Sequence, residues 1–267
     1  MIIDGHQHVM LPSSMQIHKM DAAGVDMTVL FTTVPHIERA ENATLDAIRA
    51  EMQVLYRLLA GSYSTEERQR QMGDTIQELK QAILYAPERF YGFGPVPLGL
   101  DNSKTAEWVS EFIIKNAFRG VGEFTPGPEA QISQLEPVFQ ALTNYRRLPI
   151  WIHTFHPVTQ NGIETLMSLC RKYPAVPVIF GHMGGSYWMD VIAFAKERNN
   201  VYLDLSASYT PLSVKVALND APEKCLFGSD APFGEPLLCR QLIEYVSPSV
   251  EVTEMALGGN IAQILQI

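Results

Sequence analysis

Apolar runs too short to be helices alternate along this chain with longer stretches whose apolar positions recur at helical spacing. Residues 1–11 open it with an apolar run holding Asp4-Gly5-His6-Gln7-His8, and residues 25–32 (VDMTVLFT) form a β-branched run bounded by turn signals. Both read as strands. Between them, residues 13–23 make a short helical or irregular link closed by Gly24. Residues 38–60 place Leu45, Ile48, Met52, Leu55 and Leu59 on one helical face, and Gly61 ends the run. Residues 65–85 repeat the pattern with Met72, Ile76, Leu79 and Ile83, after a Ser-Thr-Glu-Glu start of the kind that caps a helix. Two helices where one would suffice predict a helical insertion after strand 2, over residues 38–86, lying across a site or against a partner.

From residue 90 the alternation is regular. Strands are predicted over 90–98, 118–124, 149–154, 177–182, 201–206 and 224–229. The helices predicted to follow them span 103–116, 133–146, 162–173, 187–198, 212–219, 236–246 and 252–265. Eight strands result, several of them continuous Val/Ile/Leu/Phe runs as buried parallel strands require. With 267 residues to place, the pattern predicts an α/β fold, a (β/α)8 TIM barrel forming a single domain over residues 1–267. No GxGxxG follows the first strand and no P-loop occurs, which removes the main reasons to prefer an open doubly wound sheet.

Charge narrows the partners. A net charge of −9 and a pI near 5.3 argue against an extended nucleic-acid footprint or an anionic membrane surface. Cys170, Cys225 and Cys239 show neither metal-type nor redox-type spacing and read as small buried hydrophobes in a reducing compartment. No basic-then-apolar leader precedes Met1, and no apolar run nears the roughly 20 residues that span a bilayer. A soluble, cytoplasmic protein with a small-molecule substrate is expected, and a homo-oligomer is left open.

The candidate chemistry lies at strand ends. Residues i and i+2 of a strand share a face, so His6 and His8 aim two imidazoles into one space. The plain alternative, a chance pair of surface histidines, weakens once the other strands are read. The strand FRGVGEF ends in Glu123, PIWIHT in His153, PVIFGHMGG in His182 and KCLFGSDAP in Asp230. In a barrel these carboxyl ends converge on one mouth. Imidazole and carboxylate are ligands shared by Zn, Mn, Fe and Ni sites, and the absence of cysteine from the set argues against a closed structural zinc. For Asp230 the competing role is a helix N-cap; for Glu123 it is a buried hydrogen-bonding carboxylate.

These motifs, in this order, resemble the amidohydrolase superfamily, and within it the amidohydrolase-related group of TIM-barrel metal-dependent enzymes. The closing Leu257-Gly-Gly-Asn260-Ile-Ala-Gln-Ile-Leu resembles that family's last helix. The resemblance implies that His6, His8 and Asp230 hold a first divalent metal, that His153 and His182 hold a second, and that Glu123 bridges the two. Zn is the leading ion, one or two per chain, with Mn, Fe or Ni as alternatives. In single-metal relatives His153 joins the first ion and His182 becomes an acid/base or substrate contact. The expected function is a metal-dependent hydrolase of a small amide, ester or lactone acting through a metal-bound hydroxide, with Asp230 shuttling the proton and His182 binding metal or stabilising the oxyanion. The alternative is a single-metal decarboxylase, a carbon–carbon lyase of an aromatic or unsaturated carboxylic acid. A third reading is a barrel kept for binding alone, against which the complete ligand set speaks.

Other residues carry weaker expectations. His36 and His156 follow strands two and five and are read as substrate contacts or loop histidines with equal weight; His18 is read as surface. Arg39 is the favoured partner for a substrate carboxylate over Arg119, which lies early in its strand. Trp151 and Trp188 are read as filling space, Tyr209 as outside the pocket, and residues 61–73 as a solvated helix connection rather than a mobile lid.

Overall fold

In the computed structural model, which describes residues 1–40, 43–127, 129–145 and 147–267, eight parallel strands run side by side in sequence order around a nearly closed TIM barrel. The first half comprises β1 (Ile3–His8), α1 (Ser13–Ala23), β2 (Met27–Phe31), α2 (Leu45–Leu59), α3 (Thr65–Tyr85), β3 (Phe90–Gly94), α4 (Asn102–Trp108) and β4 (Gly120–Phe124). Next come α5 (Ala130–Ser133), α6 (Glu136–Leu142), β5 (Ile150–His153), α7 (Gln160–Lys172), β6 (Val178–Gly181) and α8 (Trp188–Lys196). The chain ends with β7 (Val201–Asp204), α9 (Pro211–Asp220), β8 (Cys225–Leu226), α10 (Pro236–Val246), α11 (Val250–Glu254) and α12 (Asn260–Leu265). Among the described residues no helix is long and apolar enough to cross a membrane.

The last seam determines the site. β8 has only two residues, so the segment after it meets β1 through backbone bonds. Gly5 N donates to Phe227 O, Asp230 N to His6 O and His8 N to Ala231 O, each at 2.7 Å. This stitch places Asp230 beside the two histidines of β1.

Two apolar layers hold the barrel. Inside it, Ile3, Val29, Phe31, Phe93, Trp151, Ile179 and Leu226 pack with Ile261, Ile264 and Leu265 of α12. Outside it, the other face of the strands packs against the helices, as α3 does with Met72, Ile76 and Leu79. Phe31, Phe93 and Trp151 meet edge to face at 5.2–6.2 Å, a geometry aromatic quadrupoles favour.

Several elements are shorter or more broken than their periodicity predicts. β3 stops at Gly94, before Pro95 and Pro97, which have no N–H for a ladder. The 38–60 helix becomes a 3₁₀ turn (Ile37–Arg39) and then α2, whose start is capped by the Thr44 hydroxyl; residues 41 and 42 lie outside the described residues. The 133–146 helix is two pieces, α6 carrying a proline in its first turn, and residue 146 also lies outside the described residues. Residues 13–23 are a full helix closed by Gly24 in left-handed conformation. α2 and α3 both lie between β2 and β3, and α3 begins with a reciprocal cap. Glu67 N donates to Ser64 Oγ (3.2 Å) and Ser64 N to Glu67 Oε2 (2.8 Å). All three cysteines are free, Cys170 and Cys225 buried.

Candidate metal centre

His6 and His8 of β1, Glu123 of β4, His153 of β5, His182 just after β6 and Asp230 after β8 meet at the carboxyl mouth of the barrel. Glu123 stands between two sets of nitrogens. Its Oε2 lies 3.6 Å from both His6 Nε2 and His8 Nε2. Its Oε1 lies 3.3 Å from His153 Nδ1 and 3.4 Å from His182 Nε2. Asp230 Oδ1 completes the first set, 3.1 Å from His8 Nε2 and 3.7 Å from His6 Nε2. The six side chains are nearly buried, the most exposed being His153 at 17%.

Each of the four imidazoles has its far nitrogen held by an acceptor. His6 Nδ1 donates to Asp204 Oδ2 (2.9 Å), His8 Nδ1 to Thr32 O (3.3 Å), His153 Nε2 to His156 O (3.0 Å) and His182 Nδ1 to Ser206 Oγ (3.0 Å). Fixing the proton on the outer nitrogen turns the lone pair of the inner one toward the centre, as metal-ligating histidines require. Two of the inward atoms, His6 Nε2 and Glu123 Oε1, are buried with no hydrogen-bond partner. A divalent cation fits this donor set, because it would satisfy atoms that nothing else satisfies.

The electrostatics agree. Burial works against a charge on His6, yet the Asp204 and Glu123 carboxylates hold its pKa well above the usual histidine value. Burial also works against ionised Glu123, yet the neighbouring imidazoles of His6, His153 and His182 hold it well below the usual carboxylate range. His182 is raised despite burial by Glu123, Asp230 and Asp204, and Asp204 is lowered despite burial by His6. Glu123 and Asp204 thus stay ionised at depth, held there by the imidazoles around them.

Local backbone makes this approach feasible. Gly122 has φ 131°, and a Cβ there would sit 2.5 Å from Trp151 O; only glycine lets β4 turn so that Glu123 faces inward. A Cβ on Gly228 would meet Asp204 Oδ1 at 2.3 Å. His182 and Asp230 themselves adopt left-handed backbone (φ 60° and 58°), an uncommon state that recurs at functional sites.

Three supporting residues escape a motif reading. Asp204, wholly buried at the end of β7, accepts from His6 and from His182 N (3.1 Å), and Ser206 bridges the same two rings. Asp4, also wholly buried, accepts from His6 N and Ser229 N at 3.0 Å and from Gln7 at 2.7 Å. Burial pushes its pKa up to about 6. An acid at the end of an otherwise apolar strand run, as in VYLD, was the available signal for Asp204.

The weaker candidates disperse. His18 is exposed. His156 is exposed and contributes only its carbonyl. His36 is buried against Glu38 and Glu78 rather than in the cavity. Arg39 is exposed and does not reach the cavity, while Arg119 stacks over Tyr91. Trp151 fills the barrel interior, and Tyr209 is 53% exposed. Above the donors opens a cavity of about 260 Å³, its walls largely apolar through Leu55, Leu58, Leu59, Met72, Phe155 and Phe233.

The family model described as amidohydrolase matches residues 3–267. The chain belongs to the amidohydrolase family. A search of curated proteins returns no match for this family member. Among solved structures it is similar to 5-carboxyvanillate decarboxylase from Sphingomonas paucimobilis, with TM-score 0.74 and 15% identity over 100% of this chain and 99% of that one. It is similar too to a dihydroxybenzoic acid decarboxylase from Polaromonas sp. JS666, with bound manganese and 2-nitroresorcinol, at TM-score 0.67 and 16% identity over 99% and 96%. A third is 4-oxalomesaconate hydratase from Rhodopseudomonas palustris, at TM-score 0.65 and 14% identity over 100% and 96%. At these identities the likeness is one of fold.

Proposed function

We propose that this family member is a metal-dependent carbon–carbon lyase that removes carbon dioxide from a small aromatic or unsaturated carboxylic acid. The observation that carries the reading is an apolar cavity of about 260 Å³ standing directly on the inward-facing donors. A flat ring fits between Leu55, Met72, Phe155 and Phe233, with its carboxylate directed at the donor cluster. The naming of two similar structures as decarboxylases of aromatic acids supports the same class.

His6, His8, Glu123 and Asp230 would hold the ion, proposed as zinc, with manganese as the alternative suggested by the Polaromonas enzyme. When bound, a divalent cation supplies positive charge that fixes and polarises an anionic oxygen of the substrate. The chain does the rest. The apolar walls orient the ring and exclude water from it. In this one-ion reading His182 is not a ligand; with Nδ1 held by Ser206, it carries its second proton on Nε2 at the cavity floor. That proton passes to the ring carbon bearing the carboxylate. The bond to the carboxylate then breaks, its electron pair restores the π system, and carbon dioxide leaves. His182 is reprotonated from solvent.

A second reading, hydrolysis of a small amide, ester or lactone, is favoured by one observation: the two oxygens of Glu123 face separate nitrogen pairs, an arrangement suited to bridging two ions. Incubating metal-loaded protein with hydroxybenzoates and, separately, with lactones and amides distinguishes the two. Carbon dioxide release with one ion per chain supports the lyase; hydrolysis alone, with two ions, overturns it.

A further inference from the structure

Arg68 stands apart from every other charged group at the mouth. It lies on α3, and it lines both the apolar cavity and an adjoining one of about 370 Å³ whose other walls include Tyr63, Thr65, Gln131 and Gln134. Its guanidinium has one side-chain partner, Gln71 Oε1 at 2.6 Å, and among the described residues no carboxylate lies within 4 Å of it. Arg49, Arg89 and Arg240 pair with acids, and Arg57, Arg119, Arg171 and Arg198 lie over aromatic rings, whereas Arg68 does neither among the described residues. A largely buried guanidinium without a counter-ion is costly unless an anion arrives to pair with it. Burial lowers its pKa, consistent with the missing partner, but an arginine remains cationic at neutral pH.

We propose that Arg68 binds a second anionic group of the substrate, so that the substrate is a compact acid with two negative groups on either side of an apolar body. Glu123 also lines both cavities, which adjoin at Arg68, so the guanidinium stands on the same cavity wall as the donor cluster. One carboxylate faces the cation-binding floor, the apolar body rests against Leu58 and Met72, and the second anion meets the planar fork of Arg68. This assignment rests on reading the substrate as a carboxylic acid, and it replaces Arg39, which is exposed, as the anion partner.

Calorimetric titration of the metal-loaded protein with isophthalate and with 3-carbamoylbenzoate, nearly equal in shape but carrying one charge fewer, tests it. Wild type is expected to bind the dianion about tenfold or more tightly than the monoanion. In Arg68→Gln the preference falls to within about twofold while the monoanion binds as before, Arg68→Lys keeps part of it, and Arg39→Gln keeps all of it. Unfolding temperatures confirm that each variant is folded. An equal preference in Arg68→Gln, no preference in wild type, or no binding of either acid overturns the proposal. Dianion binding through Arg68 without carbon dioxide release from any acid would overturn the lyase reading and leave this one standing.

Discussion

The floor and the rim of the cleft are built differently. On the floor every donor is held by a second group: Asp204 and Ser206 hold two rings, backbone carbonyls hold the other two, and Asp4 ties β1 to the loop that carries Asp230. Phe31 and Trp151 pack against His6 from below, at 4.9 and 5.1 Å. On the rim, Arg68 has a single side-chain partner, and the walls come from α2, α3 and loops after the strands. A preorganised floor suits chemistry that places charge at a fixed point. A rim with unpaired groups suits selection among substrates, because its interactions are completed by the ligand.

Substitutions sharpen that contrast. The largest effect is expected on the floor: His8→Ala or Asp230→Asn should lower turnover by about a thousandfold or more while thermal unfolding stays cooperative. Near-wild-type rates would show that the floor is not the reacting centre. Asp204→Asn removes the charge that orients His6. It should weaken metal affinity by about 10–100-fold, with rate recovered at saturating metal, as metal titration of activity would reveal.

Away from both regions, His36→Ala breaks the bond from His36 Nδ1 to Glu38 Oε1 (2.8 Å) and should cost about 1.5–3 kcal/mol in denaturant unfolding. That bond also sets a pH dependence. Glu38 accepting from His36 raises the histidine, so its contribution is complete below 6.5 and is lost as pH rises through the raised value. Burial opposes ionisation of Glu38, but His36 and Leu11 N lower its pKa; that contribution is complete above 4.5 and is lost as pH falls through the lowered value. The difference between wild type and His36→Ala should therefore be largest between pH 4.5 and 6.5. The smallest effect belongs to Arg49→Ala, which breaks an exposed pair with Asp46 and should change stability by less than about 0.5 kcal/mol.

The barrel and its donors were legible because both are written locally. Alternating apolar runs set strand against helix, and a histidine or acid at the end of a strand is placed by that strand. What stayed hidden depends on contacts between elements. Asp204 looked like one more strand residue until β7 was set beside β6 and β1's histidine. Arg68 sits in GSYSTEERQRQMG, a polar segment in which three arginine and glutamine neighbours look alike; only the packing of α3 turns this one toward the cavity. Strand lengths were overestimated where proline or the short β8 ended the ladder, since apolar residues continue past the last backbone bond.

The central claim is that side chains gathered from five strand ends form a cation site. Stripping the protein with a chelator, titrating back zinc or manganese, and counting bound ions at equilibrium tests it most directly. The account predicts at least one ion per wild-type chain, with binding abolished in His8→Ala. A wild-type chain that takes up no ion above background, or a His8→Ala chain that binds as wild type does, would contradict it.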